Sequence, residues 1–215
     1  MTRFLIPLAK FNFVLPAMAE LDHVRVSLRG IHIQASKAGT ILIGTDGSVM
    51  LAAHCPDMIA KKQSFSILPD TNMRRACRMK NRKTALDDRI LEIDPVAETW
   101  CLLTKAGEVD NEGGRLPVET EHHQNLTHLF RDEIVFDTTI PPVSTNTLEA
   151  IVCAGKVIRN SVSFSGSGIT PGHPVVVSFS ESDYLGLIMP ISQHPSYPAA
   201  PADLTDWFKN AAKQR

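Results

Sequence analysis

The chain has 215 residues, of which 43% are hydrophobic and 21% charged, and a formal net charge of −1. This composition fits a globular protein of one large or two small domains, and it excludes a general polyanion binder. No apolar run reaches the ~18 residues that would mark a membrane span, and four cysteines without a CxxC pair exclude a disulfide scaffold. The N-terminal stretch is short, basic and apolar, like a secretion signal. Pro7, Lys10, Asn12 and Pro16 interrupt it, so it is expected to belong to the fold. A strand is expected over Arg3–Ile6, ending at Pro7, with a helical segment after it. Strands follow over His23–Leu28, Gly30–Gln34 and Thr40–Gly44, each β-rich and bounded by turn residues. Next come a strand over Ser64–Leu68 ending at Pro69, a helix over Asp70–Thr84, and strands over Arg89–Ile93 and Thr99–Leu103. Glu108–Gly114, acidic and glycine-rich, reads as a loose connector. Then come Asp137–Ile140 before Pro141, a helix beginning at Ser144 or Thr145, and strands over Ser161–Phe164, Pro174–Phe179 and Tyr184–Met189. His194–Asp203 is proline-rich and extended. Leu204–Arg215 has the pattern of a short amphipathic helix with Leu204, Trp207 and Phe208 on one side.

The order contains an internal repeat. Three times a short strand ends at proline, a helix follows, and strands follow the helix. Proline ends ladder bonding and presets φ for a helix start, and Asp70 and Ser144 or Thr145 suit N-caps. The unit is β-α-β-β-β, with two clear strands after the second helix. The fold class is therefore α+β, with three β-α-β-β-β repeats and mostly antiparallel sheets.

Charge is uneven. Lys61, Lys62, Arg74, Arg75, Arg78, Lys80, Arg82 and Lys83 face only Asp70, whereas the stretch from Asp87 to Glu133 is acidic. Arg74, Arg75, Arg78 and Arg82 fall broadly on one helical face. Catalytic signatures are missing: there is no P-loop and no GxGxxG, and Phe164–Gly168 lacks the GxSxG pattern and reads as a hairpin turn. His54-Cys55 lacks an orienting acid. His122, His123 and His128 lie near Glu119 and Glu121 but have no second ligand set of suitable spacing. No enzyme activity, cofactor or metal is expected.

Val24-Arg25-Val26-Ser27-Leu28-Arg29-Gly30-Ile31, followed by Gly44-Thr45-Asp46-Gly47-Ser48-Val49-Met50-Leu51-Ala52, resembles the bacterial DNA polymerase III beta subunit, the DNA sliding clamp. Gly114-Arg115-Leu116-Pro117 resembles the segment leaving that clamp's middle domain, and Leu187-Ile188-Met189-Pro190-Ile191 resembles its C-terminus. The resemblance spans residues 3–193 and matches the clamp's middle domain plus part of its last. Ser48-Val49 replaces the family's His-Arg pair. The implied division is 1–116 as a complete clamp-like domain of two repeats, 117–193 as a partial domain of one, and 194–215 as a tail.

The resemblance implies non-specific duplex DNA contact through Lys10, Arg74, Arg75, Arg78, Arg82, Lys83, Lys156 and Arg159. It also implies a groove for short hydrophobic peptides of replication or repair proteins. Its residues are Leu28, Thr45, Gly47, Ser48, Val49, Met50, Pro117, Leu187, Met189, Pro190 and Ile191. Leu204-Thr205-Asp206-Trp207-Phe208 resembles the peptides that clamps bind, so the tail is expected to dock in a groove. Clamp rings use twelve such units, so four chains of three would close one, and a homo-oligomer is among the expectations. The expected role is a cytoplasmic, non-catalytic replication accessory. The alternative is a protein-binding adaptor that keeps the fold without encircling DNA.

Overall fold

The computed structural model describes residues 3–19, 23–25, 28–78, 88–120, 143–165 and 175–189. In strand β1 (Phe4–Pro7), Phe4 and Ile6 point inward while Leu5 and Pro7 point out. Pro7 ends that strand and is also the N-cap residue of α1 (Leu8–Val14), with φ −54°. Leu8, Phe11, Asn12, Phe13 and Val14 are all buried, so α1 is enclosed nearly all round. Pro16 then tightens the chain into a 3-10 turn, Leu15–Ala17. A meander follows: β2 (Ile31–Ser36), β3 (Gly39–Thr45) and β4 (Val49–Cys55).

The second unit is β5 (Gln63–Ile67), α2 (Thr71–Arg78), β6 (Arg89–Asp94), β7 (Thr99–Thr104) and β8 (Val109–Arg115), with the short β9 (Val118–Glu119) after it. The third consists of α3 (Thr145–Ile158), β10 (Val162–Ser165), β11 (Val175–Phe179) and β12 (Tyr184–Ile188). Its expected first strand, Asp137–Ile140, lies outside the described residues, as do the tail and His122, His123 and His128.

The structure changes two expectations. The loose connector is a strand: β8 pairs with β7 through bulges, so the second repeat has its full three strands after the helix. Gly113 makes this possible, since at φ +71° it lies against the Trp100 carbonyl where a Cβ has no room. Conversely, His23–Arg25 and Leu28 are not strand. Among the described residues there, the strand-like pairing is an isolated bridge between Ala19 and Arg29. α2 is described as far as Arg78, and the rest of the expected helix lies outside the described residues. The cap expectations hold. The Asp70 carboxylate accepts from Met73 N at 2.7 Å, and Ser144 Oγ accepts from Thr147 N at 3.1 Å.

Two antiparallel sheets result, ordered β1-β6-β7-β8 and β10-β11-β12-β4-β3-β2-β5-β9. The first two repeats exchange their opening strands: β1 pairs with β6 of the second, and β5 pairs with β2 of the first. Neither repeat completes its sheet alone. The third repeat joins through β12, which pairs with β4 from Tyr184↔Ala53 to Ile188↔Val49.

The main core lies between sheets and helices, and aromatic side chains tie its parts together. Phe4 meets Phe65 edge-on at 5.2 Å, linking the exchanged strands. Phe13 of α1 meets Phe179 at 4.9 Å and Tyr184 at 4.6 Å, linking the first repeat to the third. Such pairs add about 0.5–1.5 kcal/mol each beyond the area they bury. A smaller apolar cluster of Ile43, Met50, Ala52, Val176 and Leu187 lies on the sheet's other face, as strand alternation requires.

Candidate functional site

The basic helix is built by its anchors. Met73 and Cys77 are fully buried at i and i+4, which fixes the rotation of α2 and turns Arg75 and Arg78 to solvent. Arg74 is half-buried, and its Nε donates to the Pro69 carbonyl at 2.9 Å. Thr71, Arg74, Arg75 and Arg78 line a shallow depression of about 440 Å³. Arg78 also reaches a cleft of about 490 Å³ where the three helices meet, beside Asn12, Pro16, Glu149 and Cys153. Asn12 fastens α1 to α2 by donating Nδ2–H to the Cys77 carbonyl at 2.9 Å.

The other expected DNA contacts are placed differently. Lys10 is largely buried, and its ammonium donates to Asp183 Oδ2 at 2.8 Å and to the His54 carbonyl. It also lies 5.8 Å from the centre of the Tyr184 ring. Lys10 therefore fastens α1 to the third repeat at the β4–β12 junction. Asp183 gave no signal in the sequence, because nothing local connects residues so far apart. Lys156 and Arg159 are exposed at the end of α3, with Arg159 in the left-handed region at φ 52°. Arg82 and Lys83 lie outside the described residues.

The expected groove residues mostly converge. Thr45–Val49 is a tight turn. Asp46 Oδ1 accepts from Ser48 N at 2.7 Å and Val49 N at 2.9 Å. Thr45 Oγ1 donates to the Val49 carbonyl at 2.8 Å. Gly47 takes φ +90°, with Leu28 packed beneath it. Met189 N donates to the Ser48 carbonyl at 2.8 Å, so the end of β12 is bonded to this turn. Met50 and Leu187 pair directly across β4 and β12. Both are closed in, at 4% and 2% exposure, and Val49 faces the main core. Pro117 stands at the same end of the sheet but on its far edge, its carbonyl accepting from Leu68 N at 3.1 Å. Pro190 and Ile191 lie outside the described residues.

The His54-Cys55 pair is not arranged for nucleophilic chemistry. His54 Nε2 bonds the Ala38 carbonyl at 3.0 Å. Burial pushes the Cys55 thiol up to about 11, against the opposing pull of Lys10, so it stays protonated at neutral pH. Among the described residues there is no cluster of three metal-ligating side chains, and no helix long and apolar enough to cross a membrane.

No family model and no curated protein matches the sequence. Solved structures do match the fold. The DNA polymerase III beta subunit of Borrelia burgdorferi, in complex with a natural product, aligns with a TM-score of 0.62 at 12% identity, covering 90% of this chain and 64% of that one. A beta subunit from Eubacterium rectale gives 0.59 at 11% identity, covering 90% and 66%. The Pseudomonas aeruginosa sliding clamp bound to griselimycin gives 0.58 at 12%, covering 88% and 65%. This chain thus has the sliding-clamp fold and spans about two thirds of the length of those clamps.

Proposed function

We propose that this chain is a clamp-type, non-catalytic replication accessory that holds duplex DNA through its phosphates. The observation that carries this reading is α2. Two buried anchors leave Arg75 and Arg78 exposed and, with Arg74, concentrate positive charge around one shallow depression in a protein of net charge −1. Contacts of this kind release counterions and read no bases, so they give affinity without sequence preference. Lys156 and Arg159 extend the positive surface from α3. Lys10 takes no part, because its charge is engaged at the junction.

The turn at Thr45–Val49, with Met50, Leu187 and Met189, is the proposed docking place for short apolar peptides; the Pseudomonas clamp is bound to griselimycin and the Borrelia clamp is in complex with a natural product. With its floor closed, a peptide there engages the rim formed by Gly47, Ser48 and Met189. Residues 1–116 and 117–193 are proposed as the complete and partial domains. A second reading, a protein-binding adaptor, is favoured by Glu149, an acidic side chain beside Arg78 in the interhelical cleft.

Fluorescence anisotropy with labelled duplexes of unrelated sequence tests the reading. Binding should be equal across sequences and should weaken steeply from about 50 to 200 mM salt. Arg75→Glu/Arg78→Glu should lower the salt slope by about 2, since each phosphate contact contributes about 0.9. No binding at low salt, or a slope unchanged in the variant, refutes it. Capture of an apolar clamp-motif peptide without DNA binding selects the adaptor.

A further inference from the structure

The cleft where the three helices meet contains polar groups that the fold leaves unused. Asn12 of α1 donates Nδ2–H to the Cys77 carbonyl at 2.9 Å. That bond fixes which way the amide is turned, because its oxygen could not face another carbonyl oxygen. Asn12 Oδ1 is the acceptor left over, and it is buried with no hydrogen-bond partner among the described residues. Folded proteins seldom leave a buried acceptor in this state, and a donor from outside or an ordered water completes it. Asn12 also lines the cleft, which is the open space beside this amide.

Two opposite charges stand in the same cleft. Arg78 of α2 and Glu149 of α3 both line it and both are exposed. Neither side chain makes a hydrogen bond or an ion pair with another described residue, nor do they pair with each other. Pro16, Ala150 and Val157 give the cleft an apolar wall. Its α3 side runs from Asn146 to Val157, about 16 Å of helix at ~1.5 Å per residue. The enclosed volume of about 490 Å³ falls within the range of about 300–1,000 Å³ of small-ligand sites. Contact with a DNA phosphate accounts for Arg78 and for nothing else here. The Glu149 carboxylate and Asn12 Oδ1 are both acceptors, and a phosphodiester has no donor to offer them.

We propose that this cleft binds a small ligand with adjacent N–H donors at one end and an anionic group at the other. The donors bond the Glu149 carboxylate and Asn12 Oδ1, and the anion bonds the Arg78 guanidinium. The body of the ligand lies against Pro16, Ala150 and Val157. Guanine nucleotides have this chemistry. The guanine edge presents a ring N–H beside an amino group to the carboxylate, and the phosphate suits a guanidinium fork. Free arginine has it too, with its guanidinium toward Glu149 and its carboxylate toward Arg78. Adenine nucleotides lack it, because an unprotonated ring nitrogen beside the amino group would face the carboxylate lone pair to lone pair. The site does not rest on the DNA reading, since the acceptors that select its ligand cannot hold a phosphate.

Titration calorimetry on the full chain tests the proposal with guanosine monophosphate, free arginine and adenosine monophosphate. One of the first two is expected to bind saturably with a Kd below about 1 mM, and which one does so identifies the source. Adenosine monophosphate is expected to bind at least about tenfold more weakly. Glu149→Gln and Arg78→Gln, at exposed positions where circular dichroism should show an intact fold, should each weaken binding about ten- to a hundredfold. Cys153 locates the ligand, because it lines the cleft and is partly exposed. At ten times Kd its alkylation should slow about tenfold, while that of Cys101 on β7, outside the cleft, stays the same. No saturable binding of guanosine monophosphate or arginine overturns the proposal. So does adenosine monophosphate bound as tightly as either, binding unchanged in either variant, or binding that leaves Cys153 unprotected. These titrations contain no DNA, so their failure leaves the DNA reading standing, and failure to bind duplex DNA leaves this site standing.

Discussion

Breaking the Lys10–Asp183 pair separates its role at the junction from a role in DNA binding. The charges are 2.8 Å apart, with the lysine side chain 13% exposed and the aspartate 37%. At an effective dielectric of about 20 the gross attraction is ~6 kcal/mol, most of it offset by lost hydration. The net effect should fall between an exposed pair, at about 0.2–1 kcal/mol, and a fully buried one, where removing a partner costs about 3–5 kcal/mol. The two single substitutions should differ. Lys10→Met keeps the aliphatic stem and leaves Asp183 with access to water, costing about 1–2 kcal/mol. Asp183→Ala leaves an enclosed ammonium with the His54 carbonyl and the Tyr184 ring, costing about 2–3 kcal/mol. Urea unfolding of wild type, both single variants and the double variant gives the coupling energy, expected at about 1–2 kcal/mol. Coupling below about 0.3 kcal/mol, within the additivity error, refutes the junction argument. So does a loss of DNA salt slope in Lys10→Met with stability unchanged.

Gly113→Ala tests the bulge that turns an acidic stretch into β8. With no room for a Cβ beside the Trp100 carbonyl and φ at +71°, the variant should lose more than 1 kcal/mol in thermal or urea unfolding, beyond the ordinary strain of a left-handed residue. Burial pushes the Cys77 thiol up to about 12 and Cys55 to about 11, each from 9.0. Their folded states hold the proton more tightly than the unfolded chain, so this stabilisation is fully present below pH 9 and is lost as pH rises toward 11–12. Cys55→Ala/Cys77→Ala should flatten the fall in urea-midpoint stability above pH 9, and native-state alkylation at pH 8 should spare both thiols. An unchanged pH profile, or rapid alkylation, contradicts the burial argument.

Local chemistry made much of this protein readable in its sequence. The strand–proline–helix order, the caps at Asp70 and Ser144, and the turn at Thr45–Val49 are each specified by a few adjacent residues. The structure repeats the caps and the turn, and it repeats the strand–proline–helix order in the first two units. The arginine cluster of α2 was legible for the same reason, since period and anchors lie within one short segment. β8 was missed because glycine and acid predict a loop, and only pairing with β7 turns them into a strand. The reverse held at His23–Arg25, where a β-rich pattern found no ladder. Lys10 reads as a free basic residue until Asp183, far away in sequence, is folded against it. The exposure of Leu148 and Val152 is likewise invisible locally, because an apolar helix flank implies a core and only the packing of distant segments decides whether it is covered. The sequence by itself determined most of the elements and the order of the repeat, which depend on residues a few positions apart. Tertiary structure decided which charges are available and which apolar faces are covered, because both depend on which distant segments the fold brings alongside.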